Sequence, residues 1–481
     1  MNIIIAGGGT AGWIAAYFIN NAQPNMHNIT VIESSQIGIV GAGEAAAGSL
    51  FELLDGGFFN KKIPIQDFIN STDATTKMGI RHTNWAGKNE SYFAPIDLSP
   101  TTQKNIDYIF NYVLHKYGPS KIHLASRLGI RYENNQFDRG NGLHFDGHKV
   151  GKFFKEHTIG KNVSVIDAKI LKVNIGADGR IESLLLDNNQ TIEGDLFIDC
   201  TGFRRVLISE TDAKWKSVSD ILTVNSAMPF IEPYADNNNF IPETGATALS
   251  SGWMFDIPLK TRRGMGYIYD NNFISDDDAK LELEEKIGHE VEPIKIIRFD
   301  TGYFEKSWNK NVLSLGLASS FLEPLEATSI HNTIAQLHVF VNHFFNGHLQ
   351  SINNELSQQM YNKLISRLNE TSIDFISLHY QGKRNDSEFW QNIYHNNLAT
   401  DTVKEIVNVC QYRIPTIAIY DGVIGSYGIP LAKWNMVGLG LINEEQALTE
   451  LMMSDTLDIA KTEYDIFRNT VLSKMQILKS T

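Results

Sequence analysis

The stretch Asn2-Ile-Ile-Ile-Ala6-Gly7-Gly8-Gly9-Thr10-Ala11-Gly12 decides how the rest of the chain is read. Residues 2–6 are a short, apolar, β-branched run closed by glycines, the pattern of a strand buried on both faces of a parallel sheet. Residues 11–21 continue at helical spacing, with Pro24 beyond them, and Asn28–Glu33 (NITVIE) reads as a second strand. Strand, glycine turn, helix and strand make one βαβ unit. Gly7, Gly9 and Gly12 fit G-x-G-x-x-G: the first allows the tight turn, the second lets backbone approach a pyrophosphate, and the third lets helix pack on strand. The helix start, with Thr10 and Ala11, offers free N–H groups and a positive dipole end to phosphate. Glu33 closes the second strand 21 residues beyond Gly12, where a carboxylate accepts hydrogen bonds from ribose hydroxyls. The motif implies a dinucleotide and does not separate FAD from NAD.

Outward from this unit, residues 163–173 and Ile181–Leu186 read as strands around a Gly176-Ala-Asp-Gly179 turn, and residues 191–200 as a third. The trio predicts a meander feeding back into the parallel sheet. Residues 222–273 are rich in strands and turns, and 235–240 read as a surface loop. From Ser329 the pattern turns helical, with Ile334, Leu337, Phe340, Val341 and Phe344 on one core-facing stripe. No repeat or linker intervenes. The expected fold is α/β: a Rossmann-like dinucleotide module with inserted β-rich, substrate-facing segments over 1–330, and a mainly helical region over 331–481 packed on it as one continuous body.

Composition narrows the function. The 481 residues are 42% hydrophobic and 20% charged, enough for a large core and unlike a disordered chain. A net charge of −13 argues against a nucleic-acid groove and an anionic membrane surface. The apolar runs are strand-length, none approaching a membrane span, and the N-terminus has no signal-peptide pattern. Cys200 and Cys410 have no metal-like spacing and suggest no disulfide, so a cytoplasmic location is expected. His144-Phe-Asp-Gly-His148 matches no metal-binding spacing, and no metal is expected.

Further segments follow in order: Ile39-Val-Gly-Ala-Gly-Glu-Ala45, Lys77-Met-Gly-Ile-Arg-His-Thr-Asn-Trp85, Trp253-Met-Phe-Asp-Ile-Pro258, Phe321-Leu-Glu-Pro-Leu-Glu-Ala-Thr-Ser-Ile330, Asp374-Phe-Ile-Ser-Leu-His-Tyr380, Phe389-Trp390 and Trp434-Asn-Met-Val-Gly-Leu-Gly440. Together they resemble the flavin-dependent halogenases typified by the tryptophan halogenases, over nearly the whole chain, with a branch from marine and viral sources closer than the tryptophan-specific enzymes. The resemblance implies FAD in a flavin-monooxygenase-like fold, reduced by a separate flavin reductase. Oxygen and a halide then give hypohalous acid, which passes through a tunnel to a lysine beside an aromatic or heteroaromatic small molecule.

By the same resemblance, Lys77 is that lysine and Glu326 the active-site glutamate. A buried ammonium can polarise hypohalous acid or, as the amine, form a haloamine, and burial favours the amine. A carboxylate suits the cation formed during substitution on an arene. Thr328 and Ser329 match the positions whose backbone N–H groups hold the halide; the family usually has Gly where Ser329 stands. Gly43, Leu317, Ile330 and, on the adenine side, Ile170 match flavin-contacting positions. Trp253, Phe255 and Pro258 match the W-x-W-x-I-P wall between flavin and substrate, with Phe255 replacing the second Trp. Ala94-Pro-Ile96 replaces the H-P-F segment of the indole pocket, so aromatic stacking is lost and free tryptophan is not the expected substrate. Ala46-Ala-Gly48 replaces the T-I-P that follows the Glu44 strap. Bromide or iodide is expected over chloride, because larger halides are easier to oxidise. The competing expectation is an FAD-dependent monooxygenase that uses the flavin hydroperoxide directly; the Lys77–Glu326 pair, which hydroxylation does not need, speaks against it. A homo-oligomer is compatible with the sequence.

Overall fold

The computed structural model describes residues 1–38, 41–46, 48–96, 106–118, 142–160, 162–234, 241–415, 429–466 and 469. The expected surface loop at 235–240 lies outside them.

The chain begins in the middle of a six-stranded sheet. Its order is Trp308–Asn309, Val312–Ser314, Leu196–Asp199, Asn2–Ala6, Asn28–Glu33 and Val163–Asp167. All neighbours are parallel except the first pair. The alternation of side chains along Asn2–Ala6 serves two cores at once. Ile3 and Ile5 pack with the helices Thr10–Ala22 and Gly147–Thr158 on one face. Ile4 and Ala6 pack on the other against Leu184 and Leu186 of a small antiparallel sheet. Each of these isoleucines is at most 2% exposed, and burial of such a side chain contributes roughly 1.5–3 kcal/mol.

Two long strands expected from the sequence are each divided. Residues 163–173 become Val163–Asp167, in the parallel sheet, and Ile170–Ile175, in the small antiparallel sheet with Ile181–Leu186 and Thr191–Glu193. The Ala168 N–H still follows Glu33, donating to its carbonyl at 2.8 Å, but Lys169 exchanges bonds with Asp187 and turns the chain onto the hairpin. Residues 191–200 break likewise at Gly194, where a Cβ would lie 2.5 Å from the Ile4 side chain. Asp195 then exchanges bonds with the backbone of Asn2 before Leu196–Asp199 joins the parallel sheet.

A seven-stranded sheet forms the second layer, in the order Ile297–Arg298, Ser226–Pro233, Arg262–Tyr269, Gly252–Pro258, Thr244–Leu249, Gly79–Thr83 and Ser91–Pro95. The short sheet Glu44–Ala46, Gly142–Phe145 and Thr75–Lys77 lies alongside, Thr75 of its last strand bonding to the Pro258 carbonyl. Helix Thr328–Val339 crosses residue 330 and sends Ile330, Ile334 and Leu337 into the core of the parallel sheet. The stripe read from sequence is present, with its last turn, Phe340–Phe344, widened into a π turn. The 25-residue helix Glu355–His379 is capped by Asn354, whose side chain accepts from the Ser357 N–H, and its C-terminal half is buried. Among the described residues no helix is long and apolar enough to cross a membrane.

Candidate functional site

The glycine loop forms a cradle whose three glycines act differently. Gly7 has φ +107°, and a Cβ there would lie 2.2 Å from the Cys200 carbonyl oxygen; one on Gly12 would lie 1.9 Å from that of Gly7. Both are demanded by the fold itself. Around Gly9 an added Cβ would meet nothing within 4 Å. Gly9 caps helix Thr10–Ala22 with no side chain covering the first N–H groups and no acidic residue in the first turn. Open space before uncovered N–H groups fits a pyrophosphate. The Thr10 hydroxyl turns away and donates to the Gly147 carbonyl at 3.0 Å.

Glu33 reaches back to this loop: a Cβ on Gly8 would lie 2.2 Å from its Oε2. Its carboxylate accepts from the Trp13 indole at 3.1 Å and pairs with Lys155, whose ammonium also lies over the Trp13 ring. Leu317 sits in a turn beside the helix start, where a Cβ on Gly316 would be 2.9 Å from the Ala11 Cβ. Ile330 is 5% exposed in the same core. Gly43 approaches Gly264 and Ile257 of the large sheet. Ile170 begins a strand of the small sheet and packs beside the Ile4–Ala6 core.

A second constellation lies where the layers meet. Lys77 ends strand Thr75–Lys77 and is 2% exposed. Burial pushes its pKa from 10.5 down to about 8, with the charge of Glu326 opposing the fall. The buried His144 sits two residues along the partner strand from Gly142, which pairs with Lys77. Thr75 gives its own hydroxyl proton to the Pro258 carbonyl. It therefore accepts from His144 Nδ1 at 3.2 Å, and His144 Nε2 accepts from the Thr244 hydroxyl at 2.8 Å. Burial first, and the Lys77 charge second, hold this imidazole's pKa well below its usual value. Within the His144-to-His148 stretch Asp146 caps helix Gly147–Thr158 and pairs with Arg262.

Glu326 projects from a backbone that ordinary residues avoid. Within Phe321–Ile330, Glu323 has φ 139°, Glu326 68° and Ala327 55°. Such conformations cost on the order of 1–3 kcal/mol each and persist where surrounding contacts over-determine them. Here the contacts are adjacent residues at the end of the long helix. His379 Nε2 lies 2.9 Å from Glu326 Oε1, and the Tyr380 hydroxyl donates to Glu323 at 3.0 and 3.2 Å. Glu323 is 2% exposed; burial pushes its pKa up to about 8, opposed by the hydrogen bond from Tyr380. His82 stacks on Tyr92 and places Nε2 3.8 Å from Glu326 Oε1.

His82, Glu326 and His379 keep their ligand-type atoms within 4.8 Å, a spacing that could serve a metal. Tetrahedral ligands about 2.0–2.1 Å from a metal stand roughly 3.3 Å apart. The 2.9 Å from His379 to Glu326 is instead the length of a hydrogen bond.

Thr328 and Ser329 open helix Thr328–Val339 immediately after this loop, and no side chain caps that end. Trp253 and Phe255 share one face of strand Gly252–Pro258, their ring centroids 6.4 Å apart. Ile96 lies on the Lys77 side: both would approach a Cβ on Gly142. Sequence reasoning quoted the stretches that hold His82, Glu323, His379 and Tyr380 but gave none of the four a role. The structure gives all four a place around the glutamate loop.

The tryptophan halogenase family model matches residues 2–428. The 7-chloro-L-tryptophan 6-halogenase of Kutzneria sp. is 30% identical over 458 residues, covering 87% of this chain and 86% of that protein. A tryptophan halogenase from Shewanella frigidimarina has the same fold, with TM-score 0.85 and 25% identity over 100% of this chain and 95% of that one. A flavin-dependent halogenase from Xanthomonas campestris gives TM-score 0.83 and 26% identity over 98% and 96%.

Proposed function

This chain belongs to the tryptophan halogenase family of flavin-dependent halogenases, and on that footing we propose that it halogenates an aromatic or heteroaromatic small molecule, with Lys77 delivering the halogen and Glu326 managing the proton. FAD, reduced by a separate flavin reductase, would activate oxygen, the oxidant that converts halide into hypohalous acid. The observation that carries the reading is the buried Lys77 ammonium within electrostatic reach of the Glu326 carboxylate.

Gly7, Gly9, Thr10, Ala11, Gly12 and Glu33 hold the dinucleotide, with Gly43, Leu317, Ile330 and Ile170 along its length. The backbone N–H groups of Thr328 and Ser329 hold the halide, as free helix-start N–H groups suit an anion. Trp253, Phe255 and Pro258 wall the flavin from the organic substrate. Lys77 hydrogen-bonds hypohalous acid as the ammonium or captures the halogen as the amine. A pKa of about 8 leaves about a tenth as amine at pH 7, so both forms are populated. Ala94 and Ile96 take the places of a stacking pocket, which favours a substrate other than free tryptophan. Bromide or iodide is favoured over chloride.

The test is mass spectrometry of an aromatic panel, including indole and phenols. The protein is given FAD, a flavin reductase, NADH, oxygen and each halide, with a peroxide scavenger, beside Lys77→Ala. Halogen mass shifts that need Lys77 are expected. Oxygen-atom shifts independent of halide would overturn the reading in favour of a monooxygenase.

A further inference from the structure

The contact between Glu326 and His379 sets a proton count. His379 Nδ1 lies 2.8 Å from the Phe375 carbonyl oxygen, which can only accept, so Nδ1 bears a proton. Its Nε2 lies 2.9 Å from Glu326 Oε1. Without a proton between them, a nitrogen lone pair would face a carboxylate at hydrogen-bond distance. The contact therefore needs one more proton, on Nε2 as an imidazolium–carboxylate pair or on Glu326 as a carboxylic acid. His379 is fully buried, boxed by the rings of His82, Trp85 and Phe375. Glu326 is aimed at it from a left-handed backbone, next to an Ala327 that is also left-handed.

We propose that Glu326 and His379 act as a one-proton pair, first acid and then base, with His379 the positioning residue that stores the proton for Glu326. This rests on the halogenase reading and deepens it. As the arene attacks the halogen of hypohalous acid, the carbon–halogen bond forms and the oxygen–halogen bond breaks. The bonding electrons stay on oxygen, which takes the proton from Glu326 and leaves as water. Where the halogen sits on the Lys77 nitrogen, that nitrogen takes the proton instead. The ring C–H bond then breaks, its electrons restore aromaticity, and Glu326 receives the proton and shares it with His379. The pair ends as it began, and the sum is arene plus hypohalous acid giving haloarene plus water.

The groups that face Glu326 fit this cycle. Lys77 comes from strand Thr75–Lys77, His82 from Gly79–Thr83, Tyr92 from Ser91–Pro95 and His379 from the long helix. A lone carboxylate between Lys77 and two imidazoles would be a base only. The stored proton makes the same atom an acid at the moment the leaving group needs one.

The test separates oxidation of halide from transfer of halogen. His379→Gln keeps an amide donor for Glu326 but cannot store a proton; Glu326→Gln removes the acid. Both are assayed for halogenated arene, and for hypohalous acid caught by a fast small-molecule trap, across pH. The expected result is a fall of about 100-fold or more in arene halogenation in each, with hypohalous acid formation near the wild-type rate. The double variant should fall no further than the singles, because the two act as one unit. Arene halogenation by His379→Gln within about threefold of wild type with an unchanged pH profile, or effects that multiply in the double variant, would overturn the pair. Failure of the wild type itself to make hypohalous acid from any halide would instead overturn the halogenase reading beneath it. Should His379→Gln not fold, nitrogen-15 NMR of labelled histidine in the wild-type protein decides. A hydrogen-bonded Nε2 signal that changes in Glu326→Gln supports the pair, and its insensitivity to that substitution refutes it.

Discussion

Replacing Lys77 by Met should stabilise the protein in a pH-dependent way, because the native fold holds that ammonium where water cannot reach it. The native pKa of about 8, against 10.5 for an exposed lysine, amounts to about 3 kcal/mol against the charged form. The sign follows from proton counts. Between pH 8 and 10.5 the unfolded chain binds the proton that the native one has released, so native stability rises with pH across that window. Below pH 8 both states are protonated and the full penalty applies. Met has nearly the same unbranched shape and no charge, so Lys77→Met removes the penalty without opening a large cavity. The expected gain is about 3 kcal/mol at pH 7, about 2 kcal/mol at pH 9, and close to nothing by pH 10.5. Urea denaturation of both proteins at these pH values reads it directly, without flavin, halide or substrate. A destabilised Lys77→Met, or a difference that does not shrink as pH rises, would show that Lys77 is solvated or firmly ion-paired and refute the reasoning.

Glu323→Gln should show the opposite trend. With a native pKa of about 8 against 4.5, the wild type loses stability as pH rises from 4.5 toward 8, so the variant's advantage should grow to on the order of 2 kcal/mol at pH 6 and 4 kcal/mol at pH 8; denaturation midpoints between pH 5 and 8 check it. Gly9→Ala should fold and lose flavin affinity, whereas Gly7→Ala should give little folded protein, since only the latter meets backbone at 2.2 Å; flavin fluorescence titration beside circular dichroism separates them. Asp146→Ala removes a helix cap and the Arg262 partner and should cost about 1–2 kcal/mol, visible as a lower melting temperature.

The first thirty-three residues declare their structure because each signal is local. The β-branched run of Asn2–Ala6, the glycines at 7, 9 and 12 and the terminal Glu33 act within one βαβ unit, and all stand where the sequence put them. The same is true of the helical stripe through Ile334 and Leu337, since 3.6-residue periodicity is a property of consecutive residues. The division of residues 163–173 was not legible. Both halves are strand-like, and only the pairing of Lys169 with Asp187 sends the second to another sheet.

The proposed site divides in the same way. Lys77 and Glu326 could be named from the motifs that carry them, but the depressed pKa of Lys77 exists only because the folded layers exclude water from it. The bond from His379 to Glu326 spans 53 residues and has no periodic trace in the chain. It depends on where a 25-residue helix ends and on left-handed backbone at Glu326. Sequence alone fixed which residues are present and which local elements they form. Which of them come within hydrogen-bond distance, and which are kept from water, was decided by packing, because hydrogen bonding and desolvation act through space and not along the chain.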